Sequence, residues 1–276
     1  MVWGVIIIYP FLKWAGGKTR LIPEIKGFVP ETINNFIEPF VGAGSVFLSI
    51  KPEKAIINDL NKDLIICYET IRDNVGELIK ELSKLSSKNN KEDFIKIRNL
   101  DRDKEKFKKQ TDVQRAARII YLNKTCFNGL YRVNSKNEFN VPFGNYKNPK
   151  ILDEHNLREI SEYLKSVTIY CCDFEKIIGM AKPGDFVYLD PPYQPITKTS
   201  SFTSYTKDGF SDSDQIRLKN AIDKLKENNI KFLLSNSCCD FIKELYSGYN
   251  IKEIPLRRLI SASGDSRNIV KEVLIY

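Results

Sequence analysis

Asp190-Pro191-Pro192-Tyr193 follows the apolar run Phe186-Val187-Tyr188-Leu189 and is the densest chemistry in the chain. The run reads as a buried parallel strand, and functional groups of open α/β sheets gather at the carboxyl ends of such strands. Two prolines fix the backbone beside the carboxylate. They lack N–H groups, so neighbouring carbonyls stay open to accept from a ligand. The exocyclic amine of adenine suits such a set of acceptors. Its lone pair is delocalised into the ring, which makes it a poor nucleophile. Asp190 and the Pro191 carbonyl could accept its two hydrogens and turn the lone pair toward an electrophile. Tyr193 could stack on the base, worth about 1–3 kcal/mol in comparable sites. The same four residues also fit a turn that ends a strand, with Tyr193 as core filler.

A second group is Glu38-Pro39-Phe40-Val41-Gly42-Ala43-Gly44, between a strand at Phe36-Ile37-Glu38 and a helix opening at Ser45. Glycines after a strand let backbone approach a ligand and start a helix. The third glycine of a dinucleotide fingerprint is missing, with Phe47 in its place. That points away from NAD and toward a nucleoside cofactor without pyrophosphate. Asp59 ends the next apolar strand, Ala55-Ile56-Ile57, where it could accept both hydroxyls of a ribose. A plain strand-to-helix turn accounts for the glycines alone. Phe11-Leu12-Lys13-Trp14-Ala15-Gly16-Gly17-Lys18, followed by Thr19, resembles half of a phosphate-binding loop but lacks its leading glycine spacing.

Composition narrows the chemistry. The chain has 276 residues, 42% of them hydrophobic, enough for one large α/β domain or a core with a substantial insertion. Its single histidine, His155, argues against zinc sets and most histidine acid–base mechanisms, so no metal is expected. Six cysteines form no C-x-x-C framework and are expected as free thiols of a cytoplasmic protein. The most apolar run, Val5 to Ile8, is far too short to cross a membrane, and the start has no signal-peptide pattern. The net charge is +8, and 96–150 holds fourteen Lys or Arg against five acids. Such concentration is the footprint of a polyanion site, although a solvated helical face would also account for the mixed run Asp101 to Lys109.

The elements that must position these groups follow from periodicity. Besides the strands at 36–38, 55–57 and 186–189, strand signals lie at Val167 to Cys171, Lys231 to Leu234, Ile251 to Ile254 and Ile269 to Ile275. Ser211, with Asp214 three residues on, caps a helix running to about Asn228. From Lys62 the pattern is helical to about Lys124, and Asn128 to Tyr146 reads as an extended hairpin or loop. The expected architecture is α/β: a Rossmann-like, seven-stranded mixed sheet built from 1–61 and 147–276, with a helical and β-hairpin insertion at 62–146.

Taken in order, these motifs resemble the Dam family of DNA adenine-N6 methyltransferases, the alpha group of the D12 class. The resemblance runs from Phe11 to Tyr276. It extends to Phe127-Asn128-Gly129-Leu130-Tyr131-Arg132-Val133-Asn134-Ser135, to Glu138 through Tyr146, and to Arg257-Arg258-Leu259-Ile260-Ser261 with Gly264 and Arg267. It implies S-adenosylmethionine as cofactor, held by Trp14, Lys18, Glu38, Phe40, Gly42, Gly44, Asp59, Asp173 and Phe174, with Asp190 bridging cofactor and target. It implies double-stranded DNA as substrate, GATC as the target and an extruded adenine. Arg132 would read a guanine, which could supply about 1–3 kcal/mol of discrimination. Lys13, Leu130, Asn134, Pro142 and Tyr146 would line the target, and Phe127 and Asn128 would fill the gap left by the flipped base. Arg257, Arg258 and Arg267 would clamp phosphates. A monomer is expected, either solitary or paired with a cognate restriction endonuclease. Phe127 stands where relatives often carry tyrosine, which bears on target preference more than on reaction type. A cytosine 4-amino or glutamine-amide methyltransferase would share the corner's geometry but more often begins its motif with serine or asparagine. A non-catalytic DNA-binding protein would account for the charge alone.

Overall fold

The computed structural model describes residues 8–14, 16–195, 209–257 and 269–276. Among them, β1 (Phe36–Glu38), β2 (Ala55–Asn58), β3 (Val167–Tyr170), β4 (Phe186–Leu189), β5 (Lys231–Ser237), β6 (Ile251–Arg257) and β7 (Ile269–Ile275) form one sheet in the order β3-β2-β1-β4-β5-β7-β6. The pairs from β3 through β5 are parallel, and β7 runs antiparallel between β5 and β6. The expected seven-stranded mixed α/β sheet is therefore present. Strand order reverses between β1 and β4, which opens a crevice beyond their carboxyl ends, the usual ligand position in such sheets. Glu38 ends β1 and Asp190 follows β4, so the two motifs flank that crevice.

Every residue of β1 and β4 is buried, which is why both read as unbroken apolar runs rather than alternating ones. Alternate residues serve two cores. Phe36, Tyr188, Leu233 and Leu274 join one apolar cluster; Ile37, Val187, Leu189, Leu234 and Val273 join the other.

The helices are α1 (Ile22–Lys26), α2 (Ser45–Ile50), α3 (Lys62–Ser86), α4 (Lys91–Arg98), α5 (Lys104–Lys108), α6 (Asp112–Thr125), α7 (Glu154–Leu164), α8 (Phe174–Ile178), α9 (Asp212–Glu227) and α10 (Asp240–Leu245). Their starts are chemically marked. Asn61 caps α3, Thr111 and Gln114 form a capping box on α6, and Ser211 with Asp214 does the same for α9. The long α3 is kinked at Asn74, whose φ of −138° and ψ of 35° are not helical. Leu64, Tyr68 and Ile71 of α3 and Ile120 of α6 join the first cluster, which ties the helical stretch to the sheet. After a 3-10 turn at Phe127–Gly129 the chain to Tyr146 is irregular and mostly extended, with antiparallel bridges Cys126–Phe143 and Val133–Phe139.

Part of the positive charge counted in 96–150 is structural. Arg118 is buried, pairs with buried Asp101 at 2.7 Å and donates to the Ile97 and Arg98 carbonyls. Asp101 also pairs with Arg102 and accepts the Phe139 N–H at 2.9 Å, so it ties the hairpin to the helices. No helix of the described residues is long and apolar enough to cross a membrane, and all six cysteines are unbridged.

Candidate active site

Asp190 leaves β4 on the face shared by Tyr188. One carboxylate oxygen lies 3.0 Å from the Lys18 ammonium and accepts from the Ser235 hydroxyl at 3.2 Å. Lys18 is only 4% exposed while Asp190 keeps 21%, so the pair is sunk but its carboxylate still reaches solvent. Burial pushes Asp190 up to about 6, because desolvation outweighs the pull of Lys18 and the Ser235 hydrogen bond. The ammonium also donates to the Gly16 carbonyl at 2.5 Å and sits 4.3 Å from the centre of the Tyr193 ring. Tyr193 donates its hydroxyl to Glu272 of β7 at 2.5 Å.

The backbone after Asp190 is restrained by polar groups of β5 and α9. Gln215 donates to the Pro192 carbonyl at 3.1 Å. Asn236 accepts from the Gln194 N–H at 3.2 Å, and Ser237 donates to the Gln194 carbonyl at 2.7 Å. Among the described residues the Pro191 carbonyl accepts no hydrogen bond. An acceptor pair, the Asp190 carboxylate and this carbonyl, thus stands at the strand end without competing donors on the second member.

The glycine turn needs its glycines. Gly42 and Gly44 have φ of 50° and 74°. A Cβ on Gly44 would lie 2.3 Å from the Phe47 ring and 2.6 Å from the Tyr68 hydroxyl; one on Gly42 would press on Trp14 at 3.0 Å. Buried Glu38 accepts the Phe47 N–H at 3.1 Å inside the first turn of α2. Burial first, then the Asp190 charge, holds its carboxyl well above the usual range. Asp59 accepts the Gly42 N–H at 3.1 Å on one oxygen and the Asn61 N–H at 2.9 Å on the other. Burial raises its carboxyl, opposed by these backbone donors. Asn58 bonds the Pro39 carbonyl and both backbone groups of Cys172, so one buried amide ties together the loops after β1, β2 and β3.

Phe40 and Phe174 rings lie 5.3 Å apart, each near Phe210. Phe174 is buried in the second core cluster. Asp173 caps α8 and pairs with Arg217 at 3.0 Å, and Arg217 lies 4.9 Å over the Phe174 ring. Trp14 stacks on Tyr131 at 5.1 Å, which joins the glycine turn to the hairpin.

The residues expected on the target side gather at one junction. Asn123 accepts the Lys13 N–H at 2.8 Å and donates to the carbonyls of Lys13 and Gly129. The Lys13 ammonium is 5.3 Å from the Tyr146 ring. Phe127 stands 51% exposed at a tight turn in which Asn128 and Gly129 both have positive φ, and its N–H donates to the Pro142 carbonyl at 2.8 Å. Leu130 is half-buried against the first core cluster. Exposed Arg132 donates to Asn140 at 2.8 Å. Asn134 is a turn staple: it accepts the Lys136 and Glu138 N–H groups and donates to the Glu138 carboxylate. Arg258 and Arg267 lie outside the described residues.

Sequence reasoning missed Ser235, Asn236, Ser237, Gln215 and Glu272. The apolar signal of β5 stops at Leu234, yet the strand runs on through three buried polar residues. The polar tail of β5 is a signal that could have found Ser235, Asn236 and Ser237; no local signal marks Gln215 or Glu272.

The family model for D12 class N6 adenine-specific DNA methyltransferases matches residues 14–260. The chain is 47% identical over 272 residues to the type II methyltransferase M1.LlaDCHI of Lactococcus lactis subsp. cremoris, covering 98% of this chain and 95% of that one. It is 49% identical over 278 residues to the type II methyltransferase M.MjaIII of Methanocaldococcus jannaschii, covering 94% and 95%. It is 38% identical over 269 residues to the DNA adenine methylase of Haemophilus influenzae, covering 96% and 92%. With the acidic strand end, the glycine turn and the sheet in their expected places, the chain belongs to the D12 class of N6 adenine-specific DNA methyltransferases.

Proposed function

We propose that this DNA adenine methyltransferase acts on the 6-amino group of an extruded adenine in double-stranded GATC, with S-adenosylmethionine as donor. The observation that carries this reading is the Asp190 carboxylate, 3.0 Å from Lys18, beside a Pro191 carbonyl that accepts no hydrogen bond from the described residues, at the sheet's switch point.

The residues fit the cofactor. Asp59 spends one hydrogen bond per oxygen on the backbone, so each oxygen keeps capacity for a ribose hydroxyl. Gly42 and Gly44 lack room for a side chain, and Trp14 closes the turn. Phe40, Asp173 and Phe174 would border the base end, with Glu38 holding the turn from beneath. When bound, the cofactor supplies an electrophilic methyl group on a positive sulfur. Asp190 and the Pro191 carbonyl would accept the two amine hydrogens and orient the lone pair, while Pro192 and Tyr193 fix the wall against which the base lies. Lys18 keeps Asp190 placed and partly offsets the cost of its charge.

For the target side we assign residues 62–146 as a recognition unit on a core made of 1–61 and 147–276. Arg132 reads guanine; Lys13, Leu130, Pro142 and Tyr146 line the site, and Asn134 shapes the reading loop. Phe127 and Asn128 enter the gap left by the flipped base, a role supported by the exposure of Phe127. Arg258 and Arg267 would contact phosphates. Two relatives above 45% identity are named type II methyltransferases, which favours a modification enzyme paired with a restriction endonuclease over a solitary one; we assign it as a cytoplasmic monomer.

Expression in a host lacking adenine methylation tests the target. Its plasmid should resist a nuclease blocked by methylated GATC and yield to one that requires it. The opposite pattern would remove GATC as the site.

A further inference from the structure

The Tyr193 ring is held from two sides by groups from different parts of the chain: the Lys18 ammonium at 4.3 Å over its face and the Glu272 carboxylate at 2.5 Å from its hydroxyl. Nothing in the glycine turn, the strand-end motif or the hairpin accounts for Glu272. It sits on β7, opposite Ser237 of β5 and Ile254 of β6 in the ladder. Period-two alternation puts Glu272 on the same sheet face as Leu274, which belongs to the core cluster that also holds Tyr188 and Leu233. Asp190 and Ser235 follow on that face, and Ser235 already binds Asp190. A carboxylate in the middle of an apolar strand needs a partner, and its partner here is the ring beside the reacting centre.

We propose that Glu272 is a positioning residue for methyl transfer, acting through the Tyr193 hydroxyl to fix the plane of the ring that borders the target base. The inference rests on the reading of Asp190 to Tyr193 as the catalytic corner. A phenol hydroxyl can rotate its donor but not its ring. A carboxylate at the far end therefore sets the ring's tilt, while Lys18 sets its distance. Both holds converge on Asp190: Lys18 touches it, and Tyr193 is three residues beyond it. Losing the far hold leaves the ring free to swing about its Cα–Cβ bond while cofactor contacts stay in place. The loss should therefore fall on the chemical step rather than on cofactor affinity.

The test is single-turnover methylation of a duplex oligonucleotide by the full chain, with cofactor affinity measured by calorimetry. Glu272→Ala should slow transfer by about tenfold, as expected for one hydrogen bond to a charged acceptor, with cofactor affinity kept. Glu272→Gln keeps an acceptor and should recover most of the rate. Tyr193→Phe should slow transfer comparably, and adding Glu272→Ala to it should cost little more. A wild-type rate for Glu272→Ala, or an equal further loss in the Tyr193→Phe background, overturns the inference. Asp190→Ala run alongside separates the two readings. Full activity there removes the corner itself. An inactive Asp190→Ala beside an unaffected Glu272→Ala removes only the role of Glu272.

Discussion

The acid limb of the pH–rate profile should belong to Asp190. On the proposed reading its carboxylate accepts an amine hydrogen, and protonation turns one oxygen into a donor and weakens the other as an acceptor. In the free enzyme burial pushes this group up to about 6 despite Lys18 at 3.0 Å. With both cofactor and DNA well below saturation, so that the free enzyme titrates, the rate should be flat near pH 8, fall by half near pH 6 and drop to about a tenth at pH 5. Replacing Lys18 sharpens the test, because the ammonium is the largest influence holding the value down. In Lys18→Gln the half-point should move toward neutral pH. Circular dichroism at each pH separates titration from unfolding. A limb below pH 5, or one that Lys18→Gln leaves in place, would refute the assignment.

Stability and target choice offer four further measurements. Asp190 is raised in the fold relative to the unfolded chain, so its protonated form favours folding below about pH 4 and that contribution disappears as pH rises through about 6. The unfolding free energies of wild type and Asp190→Asn should diverge by up to about 3 kcal/mol across that window in urea titrations; parallel curves would contradict it. Gly44→Ala meets a ring at 2.3 Å and a φ of 74° and should cost about 2 kcal/mol or more in the same assay. Arg118→Met leaves buried Asp101 with Arg102 as its remaining ion-pair partner and takes a donor from the Ile97 carbonyl, and should cost about 2–3 kcal/mol; a change below about 1 kcal/mol would show the pair to be dispensable. Arg132→Ala should narrow the rate gap between GATC and sites altered at guanine, and an unchanged ratio would take base reading away from Arg132.

The framework was legible because buried parallel strands announce themselves as apolar runs. β1 and β4 begin and end where the sequence placed them, and the capping signature at Ser211 marked α9 correctly. The groups to which the chemistry is assigned were legible for a related reason: Asp190, Glu38 and Asp59 each stand at the end of an apolar strand. What was hidden is the support behind them. Ser235, Asn236 and Ser237 lie where β5 stops being apolar, and the alternation that reveals them belongs to the sheet, not to the segment. Glu272 was hidden likewise, since its partner is 79 residues away. The basic stretch was readable only as a total; charge counting cannot tell Arg118, consumed inside an ion pair, from exposed Arg132.

The most direct measurement is a structure of the enzyme with duplex DNA and the demethylated product of its cofactor. An adenine should lie outside its helix, its 6-amino nitrogen about 3 Å from both the Asp190 carboxylate and the Pro191 carbonyl. An adenine still stacked in the duplex, or bound with its amine turned away from those two oxygens, would contradict it.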